Sequence, residues 1–219
     1  ADLIFSLPDQ SIGDLKSDLD TLLAYDPPHV SIYGLSYEPG TPLTKARDAG
    51  KVRPIDDDAW AEQYALVVDT LEQSGLARYE VSNFAKPGHR GAHNEAVWRG
   101  GHYLGLGPGA HGFRPDGVRT LGAADLAGWS AQPEGKAQAV REDEAALDLV
   151  LSTLRHIDGL DLDLLHQRTG HVVDIDRLQA MVQQGLIRVL GGNHILLNPS
   201  AYPLADGIVA RVCAAMAPG

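Results

Sequence analysis

The chain is short of the residue types that most often announce a chemistry. It has one cysteine, Cys213, in 219 residues. One thiol excludes an intrachain disulfide and fits a reducing compartment, so a cytoplasmic location is expected. Cys213 sits among Val212, Ala214 and Ala215 and reads as a small buried side chain rather than a nucleophile. No apolar run approaches the ~20 residues of a membrane helix. The first residues do not read as a basic–apolar signal peptide. Positive charge is scarce: 18 Lys and Arg stand against 29 Asp and Glu, a net charge of −11. A phosphate-neutralising surface is therefore not expected, nor a nucleic-acid partner. There is no Gly-x-Ser-x-Gly elbow, and no paired-carboxylate site follows from spacing. No catalytic residue is assigned.

What the chain does have is a hydrophobic content of 44%, ordinary for a globular protein, and length for one large domain or two small ones. Asp2 to Leu7 is a short apolar run that reads as a buried strand. Ser11 with Asp14 forms a capping box, and Leu15, Leu19, Leu22 and Leu23 mark one helix face. Pro27 and Pro28 stop that helix, and His29–Tyr37 is a second β-rich run. Strand, helix, strand at this spacing is a βαβ unit with parallel strands. Thr41 and Pro42 open a short helix to Gly50. Asp56 to Asp58 open a longer one, with Trp60, Tyr64, Val67, Val68 and Leu71 as a core stripe and Gly75 as its end. Arg78–Val81 is a further strand.

The chain then enters Glu80–Gly112, which holds His89, His93, His102 and His111. Pro87, Gly88 and Gly91 argue against a helix over 89–93, so a long loop is expected. Neutral imidazole is a common metal ligand, whereas a bland loop histidine merely hydrogen-bonds; spacing does not choose between them. Gly105, Gly107 and Gly109 alternate with Leu104, Leu106 and Pro108. One bare backbone face results, open to a flat ligand or another strand. Leu104–Gly112 is itself a candidate strand. The glycine run has no Lys-Ser/Thr pair or capped helix after it, so a phosphate loop is weakly supported. Val118–Leu121 reads as a strand, Ala123–Ser130 as a short helix, and Gln132–Gln138 as a linker.

From Arg141 on, three apolar-striped helices precede Leu186–Leu190 and His194–Leu197, which flank Gly191-Gly192-Asn193. That is a winged-helix order, with a last helix through Ile208, Val209 and Val212. A nucleic-acid reader is the obvious rival. Residues 141–219 carry six Arg and no Lys against ten acids, 6 − 10 = −4. A partner-docking or substrate-covering module fits that charge better.

The run His93-Asn94-Glu95-Ala96-Val97-Trp98 with Tyr103–Gly112 (YLGLGPGAHG) resembles the HNxxYW and YLGxGxGAH motifs of the oxygen-independent coproporphyrinogen III oxidase-like radical SAM family, most closely its heme-chaperone branch. DLIFSLPDQS at 2–11 and LSYEPGTPL at 35–43 are similar to that family's DLIYGLPGQT and LxxEPGTP segments. Three of the departures bear on the site. Val97 replaces the motif tyrosine, and Ser6 and Asp9 replace glycines. The resemblance implies an α/β fold: the last strands of a partial TIM-type (β/α) barrel over 1–131, then a helical winged-helix-like domain over 132–219. It implies heme bound through His93, with Trp98 as a flat wall and His111 or His102 as second choices for the iron. It implies S-adenosylmethionine contacts at Asp2 and Ser36. The family's 4Fe-4S cluster needs three cysteines in CxxxCxxC, which Cys213 alone cannot supply. The chain therefore reads as the C-terminal portion of a longer protein, with cluster ligands absent from it and no radical chemistry of its own. The implied role is a heme chaperone delivering heme to recipient hemoproteins such as respiratory enzymes, with membrane contact only peripheral and through those partners. The alternative is an oxygen-independent coproporphyrinogen III oxidase of porphyrin biosynthesis. Strand edges left open by a half barrel would favour homo-oligomers.

Overall fold

The computed structural model describes residues 1–219 as two compact units, 1–90 and 91–219. The first is a four-stranded sheet with helices. Strand β1 (Asp2–Phe5) pairs parallel with β2 (His29–Gly34), joined by α1 (Ile12–Leu23). The βαβ expectation is met, down to the reciprocal hydrogen bonds of the Ser11/Asp14 capping box. Helix α2 (Pro42–Asp48) is capped by the Thr41 hydroxyl, which accepts from the Thr44 amide at 3.2 Å. Helix α3 (Asp57–Gln73) is capped by Asp56, and Gly75 follows its end with φ +82°.

The sheet is mixed rather than parallel. After β3 (Ala77–Glu80) the chain turns at once into β4 (Asn83–Ala85), which pairs antiparallel with both β3 and β2 in the order β1-β2-β4-β3. The stretch expected as loop from Glu80 thus begins with a strand, short and wholly buried. The α3 stripe packs on the sheet: Phe5 lies 5.7 Å from Trp60, and Trp60 stacks on Tyr64 at 5.3 Å. Phe5 and Tyr64 are core and Trp60 is half-buried at its edge. Buried Gln63 fastens the turn after β1. Its Oε1 accepts from the Ser6 amide at 3.0 Å and its Nε2 donates to the Gln10 carbonyl at 2.9 Å.

That turn explains two of the departures from the family motif. Ser6 and Asp9, where the family has glycine, adopt φ of +62° and +58°. The left-handed backbone is kept although the residue that adopts it without strain is gone.

The second unit opens with α4 (Ala92–Trp98), which places His93 on a helix. The expectation of loop at His93 is corrected: the breakers Pro87, Gly88 and Gly91 all precede the helix, and seven residues without Gly or Pro follow. His89 does lie in non-helical chain. The candidate strand at Leu104–Gly112 is corrected too. Tyr103 and Phe113 exchange backbone hydrogen bonds of 2.9 Å each way, closing a loop between them, and only β5 (His111–Phe113) is strand. Strand β6 (Val118–Leu121) pairs with β5 and with β7 (Lys136–Ala139), while α5 spans Leu126–Ala131. Residues 136–138, the end of the expected linker, are therefore paired chain within β7, and the anticipated boundary at 131/132 falls inside this unit. The remainder has the winged-helix order: α6 (Glu142–Leu154), β8 (Leu160–Asp161), α7 (Leu162–Thr169), then α8 (Gln179–Gln183) after a 3-10 turn. The hairpin β10 (Ile187–Leu190) and β11 (His194–Leu197) takes β8 as a third strand. Helix α9 (Ala205–Ala214) follows, and β12 (Met216–Pro218) pairs with β9 (His171–Val173). Val150, Leu154, Leu165, Ile208 and Val212 form its core. No helix is long and apolar enough to cross a membrane.

Candidate heme and cofactor sites

The histidine-bearing stretch is organised by two devices. The first is the glycine run. A Cβ on Gly105 would lie 2.3 Å from the His111 carbonyl oxygen, and one on Gly112 would lie 2.9 Å from the Gly105 nitrogen. The bare backbone face is thus taken up by the chain's own return strand. The loop tip instead projects Leu104 and Leu106, 82% and 84% exposed.

The second is a polar cluster that holds α4 to the turn following α6. Buried His156 receives the Asp158 amide at Nδ1 (3.1 Å), and its Nε2 lies 3.5 Å from the Glu95 carboxylate. Arg99 reaches Asp158 at 3.1 Å and Glu95 at 3.8 Å. Sequence reasoning missed His156 and Asp158, because nothing in their spacing ties them to residues about 60 positions earlier.

On this frame His93 is exposed on the first turn of α4. Its ring stands edge-on to Tyr103, with centroids 6.5 Å apart and planes at 82°. Trp98, at the end of α4, lines two cavities of about 260 and 510 Å³. The larger is also walled by Val97, His102, Tyr103 and Phe113, with the His102 and Phe113 rings 5.4 Å apart. His111 is exposed on β5, and neither it nor His93 lines either cavity. No three His, Cys, Asp or Glu side chains are grouped to hold a metal ion. With Cys213 half-buried on α9, the residues present do not fit a 4Fe-4S cluster. Burial also pushes the Cys213 thiol above its ordinary value, away from a thiolate.

Asp2 and Ser36 lie in the first unit. Asp2 enters β1 exposed, opposite Ser31 in the register. Ser36 is exposed beyond the end of β2, where its hydroxyl donates to Glu38 at 2.9 Å. By register the two are about five residues, or roughly 16 Å, apart along the strands. At the carboxyl ends of β1 and β2, the Ser36 end of that span and away from Asp2, the Ser6 and Tyr37 hydroxyls are buried without partners. A polar ligand at that sheet end would satisfy them, so these residues fit a small polar cofactor such as S-adenosylmethionine.

No family model matches the chain. It is 33% identical over 213 residues, 95% of its length, to the heme chaperone HemW of Mycobacterium tuberculosis, and covers 53% of that protein. With HemW of Bacillus subtilis the identity is 30% over 85% of the chain and 51% of the relative. A mitochondrial radical S-adenosyl methionine domain-containing protein 1 of Danio rerio is 43% identical over 117 residues, 53% of the chain and 26% of that protein. Among solved structures, the radical SAM coproporphyrinogen III oxidase HemN of Escherichia coli matches with a TM-score of 0.74 at 18% identity, over 96% of the chain and 54% of that structure. The chain thus spans about half, or less, of the relatives it matches.

Proposed function

The chain belongs to the oxygen-independent coproporphyrinogen III oxidase-like radical SAM family, and from that premise we propose that it is the heme-holding half of a heme chaperone. His93 is the iron ligand, and Trp98 and Tyr103 offer flat surface to the macrocycle. The observation that carries this reading is the exposure of the His93 ring beside an aromatic side chain: an axial ligand must be reachable by a planar guest. Imidazole-to-iron bonding supplies the anchor, and burial of porphyrin faces against aromatic rings adds apolar contact. His111 is the second choice for the iron. Like His93 it is exposed and lies outside both cavity walls.

S-adenosylmethionine, when bound, would supply a reactive sulfonium. Asp2 and Ser36 are its proposed contacts, with Ser6 and Tyr37 offering hydroxyls at the Ser36 end. The cluster that such chemistry requires lies outside this chain's residues, so no step is routed through it. Recipient hemoproteins in the cytoplasm or at a membrane face follow from the chaperone reading. Strand β1 is an open sheet edge through which a further strand or a second copy could pair.

Heme titration tests the assignment. The chain shifts the Soret band on binding, and His93→Ala abolishes the shift and weakens binding about tenfold or more. Retention of both by His93→Ala removes the iron ligand from this reading. Conversion of coproporphyrinogen by the full-length protein, with no heme uptake, would favour the oxidase instead.

A further inference from the structure

The 510 Å³ cavity of the second unit is of ordinary small-molecule size, and its wall joins flat rings to cations. Besides Trp98, Tyr103 and Phe113 it carries two guanidinium groups, Arg119 and Arg168. Arg119 is committed to an ion pair with Asp148 in the same wall. Arg168, in the last turn of α7, is held differently. Its Nη1 donates to the Arg99 carbonyl at 2.7 Å, passing close to Gly100, where a Cβ would lie 2.8 Å from that nitrogen. One neutral contact thus fixes the guanidinium, and no carboxylate pairs with it. The Ser152 hydroxyl lies in the same wall.

A slot with aromatic sides and an anchored, uncompensated guanidinium recognises a planar ligand bearing a carboxylate. The rings take the plane, and the planar donor fork takes the anion. Resting on the heme reading above, we propose that this cavity seats the ring-edge carboxylates of the tetrapyrrole, with Arg168 as the carboxylate-binding residue. The arrangement separates two tasks: iron coordination at His93 on the outer turn of α4, and anion recognition at Arg168 within the cavity. It also gives a reason for a cation on a net-acidic helical region. Arg168 has Leu164, not an acid, four residues before it on α7.

Three probes on the 219-residue chain test this: ferric heme, heme dimethyl ester, and metal-free protoporphyrin. A charge-assisted hydrogen bond gained or lost corresponds to about tenfold in affinity. The ester should bind about tenfold more weakly than heme. Arg168→Gln should weaken heme and protoporphyrin by about tenfold and leave the ester unchanged, with Arg168→Lys intermediate. Equal binding of heme and its ester by the unaltered chain overturns the carboxylate seat while leaving His93 ligation standing, and needs no variant to fold. An equal loss for all three probes in Arg168→Gln overturns it as well. Conversely, if His93→Ala leaves the Soret shift intact while the ester still discriminates, the iron-ligand reading fails and the carboxylate seat stands. No binding of any probe overturns both.

Discussion

Ser6 is the residue at which the departure from the family motif can be turned into an energy. It sits in the left-handed region at φ +62°, is 5% exposed, and its hydroxyl has no partner. A non-glycine residue in that conformation costs about 1–2 kcal/mol. A buried hydroxyl with no hydrogen bond costs roughly 1–3 kcal/mol more. Glycine returns about 0.5–1 kcal/mol of that through the greater freedom of the unfolded chain. Ser6→Gly should therefore stabilise the cofactor-free first unit by at least about 1 kcal/mol, the reverse of the usual effect of inserting glycine. With a urea slope of about 1–3 kcal/mol per M, that lower bound corresponds to a midpoint rise of roughly 0.3–1 M. Trp60 reports the first unit alone if Trp98 and Trp129, both in the second, are first replaced by Phe. Asp9→Gly, at φ +58° but exposed, should gain less, because only backbone strain is relieved and Asp tolerates this region better than most residues. An unchanged or lowered midpoint for Ser6→Gly would refute both the strain and the orphaned hydroxyl as destabilising terms.

Gly105→Ala puts a methyl 2.3 Å from the His111 carbonyl oxygen, so the paired Tyr103 and Phe113 strand segments must part. Their amide hydrogen exchange should quicken about tenfold or more, and unaltered protection would show that the loop absorbs the clash elsewhere. His29 is held below its ordinary value of 6.5 by burial first and the nearby α-amino group second, with Asp2 opposing, while its Nε2 meets the Tyr79 hydroxyl at 2.8 Å. For a lowered basic group the stability is complete above the unfolded value and is lost as pH falls through the folded one. The first unit should weaken below about pH 6.5, and His29→Gln should flatten that slope in thermal melts; a slope unchanged by the substitution assigns it to other groups. Val97→Tyr restores the family's ring on the wall of the larger cavity. Heme affinity should rise about three- to tenfold from one added aromatic contact, whereas a fall in spectroscopic titration would mean the ring blocks the guest.

The parts of the fold legible in the sequence are those whose signal is local. Caps at Ser11, Thr41 and Asp56, the Leu15/Leu19 and Tyr64/Val67/Leu71 faces, and the Gly191-Gly192-Asn193 turn each declare an element within a few residues. What stayed hidden was pairing. Strand β4 is three residues long and buried by partners on both sides, and β7 is a polar, exposed strand identifiable only by its register with β6. Neither carries an alternation that could be read without its neighbour. The glycine run signals backbone awaiting a close approach, and its own return strand, not a guest, supplies that approach.

The same division runs through the site. His93 and Trp98 stand in a recognisable motif, yet whether they can be reached is decided from outside it. The Glu95 and Arg99 side chains tie α4 to His156 and Asp158, and the Arg168 guanidinium holds the Arg99 carbonyl at its end. Those ties fix which face of a seven-residue helix is presented, and a helix that short would be marginal in isolation. An accessible imidazole at position 93 therefore depends on the helical region as much as on the motif. Removing the Arg99 partner in the turn after α6 by Asp158→Asn should blunt heme binding, and an Asp158→Asn chain that binds heme as tightly as before would show that α4 holds its pose without the cluster.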